Sequence, residues 1–272
     1  MSLLNMHGVM AVALLLLSSC SLTQSRSPLG ERVQPLQIHS QTAASKVSTS
    51  ASSVSRDVLS YDKPRRTLRL VSLNLAHGRL DSFHQLFVSA KQIKANLNKV
   101  ADFLRGSNAD LVALQEADGP SRWSGNFDHV QFLAQKAGFT HYVRSENVNN
   151  YLGDYGSGVL SQLPIIEGLG FIFQPSPPTS NKGFSLAQVQ WQHPNRDEPI
   201  IIDLISVHLD FSRDSVRKAQ IEEIKAILKP RKNSTIIMGD FNSEWLAREY
   251  MLEQFAEASP LHVYNPDRKS VV

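Results

Sequence analysis

The chain has 272 residues, 42% of them hydrophobic, which is enough for a sizeable buried core. A net charge of +3 suits phosphate-bearing partners but is too small to mark a nucleic-acid-binding protein by itself. The one cysteine, Cys20, excludes any intramolecular disulfide.

Val9 to Leu17 is an unbroken apolar run of nine residues. It is too short to span a bilayer and matches the apolar region of a signal peptide. The ending Leu17-Ser18-Ser19-Cys20 resembles a bacterial lipobox. That resemblance implies a signal peptide over 1–19, lipidation of Cys20, and a chain anchored to a membrane rather than crossing it. Ser21 is compatible with passage to the outer membrane, where the protein would face the periplasm. Residues 20–66 read as a flexible tether: Gln41 to Ser60 holds seven serines in twenty residues and no sustained apolar period.

From Thr67 onward the pattern is that of a folded domain, 67–272. Leu68 to Leu75 reads as a strand. Ile93, Leu97, Val100 and Leu104 recur at helical spacing, with Gly106 as the expected stop. "DLVALQE" is a short buried strand, "FDHVQFLAQKAG" a helix ending at Gly138, and "GSGVLSQLPI" a strand closed by Pro164. Phe184 to Gln192 alternates as a half-exposed strand, and "PIIIDLISVHL" is a longer one. Val216, Ile221, Ile224 and Leu228 mark a helix that Pro230 ends; "STIIMGDFN" is a strand and "LAREYMLEQFAEA" a final helix. Strands outnumber helices without strict alternation, which predicts a layered α/β or α+β sandwich rather than a barrel or a Rossmann fold.

Four apolar strands end in polar residues: Asn74, Glu116, His208, and Asp240 followed by Asn242. Strand ends emerge at a rim, and polar groups gathered there are how α/β sheets build sites. In an extended strand residues two apart share a face, so Asp240 and Asn242 would project together. Carboxylate and amide oxygens suit a hard cation such as Mg²⁺, and an imidazole suits a phosphoryl oxygen. His77, His84 and His141 carry no such pattern and read as ordinary surface or packing residues.

"SLNLAHG", "LVALQEAD", "YGSGVLSQLPI", "ISVHLD" and "IIMGDFN", in this order, resemble the successive motifs of the endonuclease/exonuclease/phosphatase superfamily. The resemblance implies a four-layer α/β sandwich of two mixed β-sheets flanked by helices. It further implies a Mg²⁺-dependent phosphoesterase, with Mn²⁺ or Ca²⁺ as alternatives, acting as a monomer on nucleic acid, a phospholipid head group or an inositol phosphate. Glu116 matches the metal-binding glutamate and Asn74 the asparagine supporting it. Asp240 matches the residue that aims the attacking water, with Asn242 beside it. His208 matches a phosphate-contacting histidine, and Tyr155 a phosphate-contacting aromatic position. Members of the superfamily close with a Ser-Asp-His segment, whereas Ser243 to Val272 holds only His262, in "LHVYNPDRKSVV". The expectation is therefore a C-terminally truncated domain with activity lost or reduced, or a non-catalytic envelope lipoprotein using the sandwich as a binding scaffold.

Overall fold

A computed structural model describes residues 27–41, 64–80, 88–122, 124–150, 153–243, 255–256 and 261–262. Cys20, the serine-rich stretch, His84 and most of the expected final helix lie outside these residues. Among the described residues, no helix is long and apolar enough to cross a membrane.

The strands are β1 (Val33–Pro35), β2 (His39–Ser40), β3 (Leu70–Asn74), β4 (Leu111–Asp118), β5 (His141–Arg144) and β6 (Val148–Asn149). They continue with β7 (Asp154–Ser161), β8 (Ile165–Ile172), β9 (Gly183–Trp191), β10 (Ile200–His208) and β11 (Ser234–Asp240). The helices are α1 (Ala90–Ser107), α2 (His129–Ala137) and α3 (Asp214–Leu228). One sheet runs β2-β5-β7-β4-β3 with β6 beside β7; the other runs β1-β8-β9-β10-β11. Both are mixed, and each ends in a parallel pair: β3 on β4, with Asn74 opposite Gln115, and β10 on β11, with His208 opposite Asp240.

Three apolar clusters make the layers. Ile93, Leu97, Val100 and Leu104 of α1, with Leu133 of α2, cover Val112 and Leu114 of β4. Ile221 and Ile224 of α3 cover Ile205 and Val207 of β10. Between the sheets lie Leu111, Val143, Val159, Val189, Ile202 and Leu204. Burial of each such side chain contributes about 1.5–3 kcal/mol, so the sandwich rests on these three interfaces. Polar stitches join the sheets as well. Ser145, Ser157 and Ser185 form a buried hydroxyl ring with oxygens 2.9–3.0 Å apart. Gln115 Nε2 donates to Ser206 Oγ at 3.0 Å.

Several expectations are corrected. Residues 29–40 belong to the sandwich, not to a tether: β1 pairs with β8 and β2 with β5. Leu29, Val33, Leu36 and Ile38 supply apolar contacts that the serine-rich stretch lacks. α1 runs through Gly106 and stops at Asn108, whose left-handed backbone (φ 51°) ends it. The strand from Phe184 is mostly buried rather than half-exposed, because β9 lies inside its sheet between β8 and β10. β8, which sequence periodicity did not show, follows directly after Pro164.

Candidate active site

The period-2 alternation of the strands aims the site. On β10, Leu204 and Ser206 face the other sheet, so His208 does too. On β11, Ile236 and Met238 pack between the sheets, which carries Asp240 to the same side. On β3, Val71 and Leu73 face the helices, leaving Asn74 turned towards the second sheet. Glu116 needs more than alternation, which would place it with Val112 and Leu114 under the helices. A bulge between Gln115 and Ala117, with Glu116 at φ 48°, redirects it to the rim.

The two parallel pairs thus bring their ends together. Asn74 Nδ2 donates to Asp240 Oδ2 at 3.0 Å, and Asn74 Oδ1 accepts from the Ala76 N–H at 2.9 Å. His208 Nε2 stands 3.9 Å from Glu116 Oε1 and 3.9 Å from Asp240 Oδ2. Asn242 does not project beside Asp240 as a strand would have it. It lies beyond the end of β11 at φ 47°. Its N–H donates to Asp240 Oδ1 and its side-chain Nδ2 to Leu209 O, both at 3.0 Å. Gly239 has no freedom to be another residue: at φ 149°, a Cβ there would meet Val207 O at 2.0 Å. Tyr155 is half-buried at the same rim.

Two further residues, Lys182 and His77, join the site that sequence reasoning did not assign. Lys182 is buried, with Nζ 3.2 Å from His208 Nε2, because Gly183 pairs with His208 across β9 and β10. Burial lowers the Lys182 pKa against the opposing charges of Glu116, Asp240 and Asp210. Burial first, and then the Lys182 charge, push the His208 imidazole down to about 4. His208 is therefore neutral near pH 7. His77, expected to be an ordinary histidine, instead stands edge-on to Tyr155 with ring centroids 5.0 Å apart. Its Nδ1 is 2.7 Å from Oδ1 of the fully buried Asp118, and its Nε2 is 3.6 Å from Glu116 Oε2. The cue in the sequence was the Gly78 that follows His77; its positive φ of 74° marks a turn that aims the preceding side chain.

The imidazoles of His77 and His208 stand beyond hydrogen-bond length from Glu116. The Asp240 carboxylate stands at the same 3.9 Å from His208 Nε2 as Glu116 does. Carboxylate and amide oxygens are the donor chemistry that a divalent metal takes, and among the described residues no group of three or more His, Cys, Asp or Glu side chains is placed to hold one.

Two mixed sheets between helices, with acid, amide and imidazole groups at the carboxyl ends of their parallel pairs, define an α/β sandwich with a polar rim. The endonuclease/exonuclease/phosphatase family model matches residues 71–258, and the chain belongs to that family. Among solved structures, the chain is similar to an endonuclease/exonuclease/phosphatase family protein from Leptotrichia buccalis, with 17% identity over 70% of this chain and 74% of that one (TM-score 0.51). It is similar to a functionally unknown conserved protein from Enterococcus faecalis at 21% identity, over 58% of this chain and 62% of that one (TM-score 0.46). It is also similar to D. rerio TDP2 complexed with single strand DNA product at 16% identity, over 70% of this chain and 64% of that one (TM-score 0.45). No curated protein matches the chain.

Proposed function

We propose that the protein hydrolyses a phosphoester by in-line attack of water, using a divalent cation, Mg²⁺ or alternatively Mn²⁺ or Ca²⁺. The observation that carries this reading is the hydrogen bond from Asn74 to Asp240, which ties a carboxylate of one sheet to the other sheet, with His208 Nε2 3.9 Å from both Asp240 and Glu116. Glu116, supported by Asn74, would hold the cation; when bound, it neutralises charge building on the phosphoryl oxygens. Asp240 orients the attacking water and accepts its proton as the new P–O bond forms. His208 donates a hydrogen bond to a phosphoryl oxygen, and Tyr155, edge-on to His77 at the same rim, contacts the phosphate. Asn242 keeps the end of β10 and the Asp240 carboxylate in register. As the bond to the leaving oxygen breaks, that oxygen takes a proton from solvent.

The substrates that share this chemistry are nucleic acid, a phospholipid head group and an inositol phosphate. Cys20 would carry the lipid anchor behind a signal peptide over 1–19, holding a monomeric enzyme on the outer membrane, facing the periplasm. Cys20→Ser should then move the protein from the membrane fraction to the soluble one.

The test of the activity is release of nitrophenol from bis(4-nitrophenyl) phosphate. Turnover should require added Mg²⁺ or Mn²⁺, stop with EDTA, and fall by about 10²–10⁴-fold in Asp240→Ala. Wild-type protein that binds a phosphodiester without turning it over with any divalent cation would favour the scaffold reading instead.

A further inference from the structure

The backbone of Lys182 is fixed from both directions. Its carbonyl accepts from the Phe173 N–H at 2.9 Å, and Gly183, the next residue, pairs with Ile172 on one side and His208 on the other. Earlier in the same loop, the hydroxyls of Thr179 and Ser176 donate to Oδ2 of the buried Asp210 at 2.6 and 3.2 Å. The loop that carries Lys182 is thus tied to the chain that follows His208. From that anchored start the stem turns inward, leaving the residue only 7% exposed.

What the ammonium meets there does not satisfy it. Among the described residues Nζ makes no ion pair, and its hydrogen-bond contacts are the ring nitrogens of His208, Nε2 at 3.2 Å and Nδ1 at 3.5 Å. The lone-pair axes of two ring nitrogens diverge, so a point at nearly equal distance from both lies well off either axis. A neutral imidazole also has only one such lone pair to give, against the three donors of an ammonium. Burial outweighs the attraction of Glu116, Asp240 and Asp210, so the folded chain holds this charge less readily than water does. A buried cation without a partner is among the costliest groups a fold can keep. What would satisfy it is an anion at the place where His208 Nε2, the ring nitrogen nearer to Nζ, also stands 3.9 Å from Asp240 and from Glu116.

We propose that Lys182 is a further catalytic residue, whose ammonium donates to a non-bridging oxygen of the substrate's phosphoryl group and brings positive charge to it. This rests on the phosphoester reading of the site. A neutral imidazole offers a phosphoryl oxygen a hydrogen bond without charge. An ammonium held in place away from water meets the charge that builds there far more strongly, and needs no reorganisation to do so. Lys182 moves no proton in this role. It keeps all three while the water oxygen bonds to phosphorus and the bond to the leaving oxygen breaks. The stability lost by burying it is the kind that functional sites give up.

The test compares the full wild-type chain with Lys182→Met and Lys182→Arg. Inorganic phosphate, titrated calorimetrically in the presence of Mg²⁺, should bind Lys182→Met about 10–100-fold more weakly than wild type. Lys182→Arg, which keeps the charge, should retain most of the affinity. On bis(4-nitrophenyl) phosphate, kcat of Lys182→Met should fall by about 10²–10³-fold, and the loss should persist at a pH above the His208 titration of both proteins. In urea without phosphate, the unfolding midpoint of Lys182→Met should hold or rise, since methionine replaces an unpaired buried charge. A lower midpoint would mark the lysine as a structural support and overturn the inference. A kcat loss that disappears once His208 is neutral in both proteins would overturn it too, since Lys182 would then act only through the imidazole. Equal phosphate affinity in wild type and Lys182→Met, or none in wild type, would overturn it while leaving any measured hydrolysis intact. Wild type that binds phosphate through Lys182 but turns over no phosphodiester would support the contact and remove the hydrolase reading.

Discussion

Asn74 Nδ2 and Asp240 Oδ2 are 3.0 Å apart, and their bond joins β3, at one end of its sheet among the described strands, to β11, at one end of the other. Asp240 has a second restraint from the Asn242 N–H on its other oxygen. Replacing Asn74 with Ala leaves that restraint and removes the one on Oδ2, the oxygen that faces His208 Nε2 at 3.9 Å. Misaiming a water by a fraction of an ångström costs rate more than binding. Asn74→Ala should therefore lower kcat by about 10–100-fold with little change in KM, measured on an aryl phosphodiester.

Gly239 carries a different constraint on the same carboxylate. Its φ of 149° and the 2.0 Å that would separate an added Cβ from Val207 O leave an alanine no place without parting β10 from β11. Strain of this kind costs about 1–3 kcal/mol. Gly239→Ala should lower unfolding free energy in urea by at least that much. Activity should fall as well, since the shift moves Asp240 relative to His208.

The charge of Lys182 should be readable on His208. Burial is the larger cause of that imidazole's low pKa of about 4, and the lysine charge is the next. Lys182→Met keeps the burial and removes the charge, so the His208 pKa should rise. Followed by NMR of the ring carbons, wild-type His208 should protonate only as pH falls through about 4, and the variant at a higher pH. An unchanged titration would mean that the lysine does not bear on the ring.

The site was legible where it sits on strand ends. Asn74, His208 and Asp240 follow apolar runs, and period-2 alternation alone sends them to one rim. The fold's layers were legible for the same reason, since Ile93, Leu97, Val100 and Leu104 keep one helical face. What was hidden depends on backbone departures or on distant chain. His77 is aimed by three left-handed residues and Glu116 by a bulge. Lys182, in a polar loop, reads as a surface cation until Gly183 pairs with His208. β1 and β2 span only 3 and 2 residues, too short for any periodicity, and are held by β8 and β5 far along the chain.

Acid stability offers a test away from the catalytic groups. Asp210 is fully buried between the 174–182 loop and the start of α3. Burial alone would raise its carboxyl pKa. Hydrogen bonds from Thr179 and Ser212, and from the backbone of Ser212 and Arg213, outweigh burial and hold it well below the ordinary range. A depressed carboxylate contributes stability that is fully present above its unfolded pKa of about 3.9 and is lost as pH falls towards the folded value. Thr179 Oγ1 donates to Asp210 Oδ2 at 2.6 Å, so Thr179→Val removes a hydrogen bond to a charged acceptor. The cost at pH 7 should be about 1.5–3 kcal/mol in urea unfolding. It should shrink only well below about pH 4, as Asp210 protonates in the folded protein, because its protonation in the unfolded chain is common to both proteins and cancels. An Asp210 carboxyl that titrates at the same pH in folded wild type and folded Thr179→Val, followed by NMR, would show that the hydroxyl acts through packing rather than through the Asp210 charge.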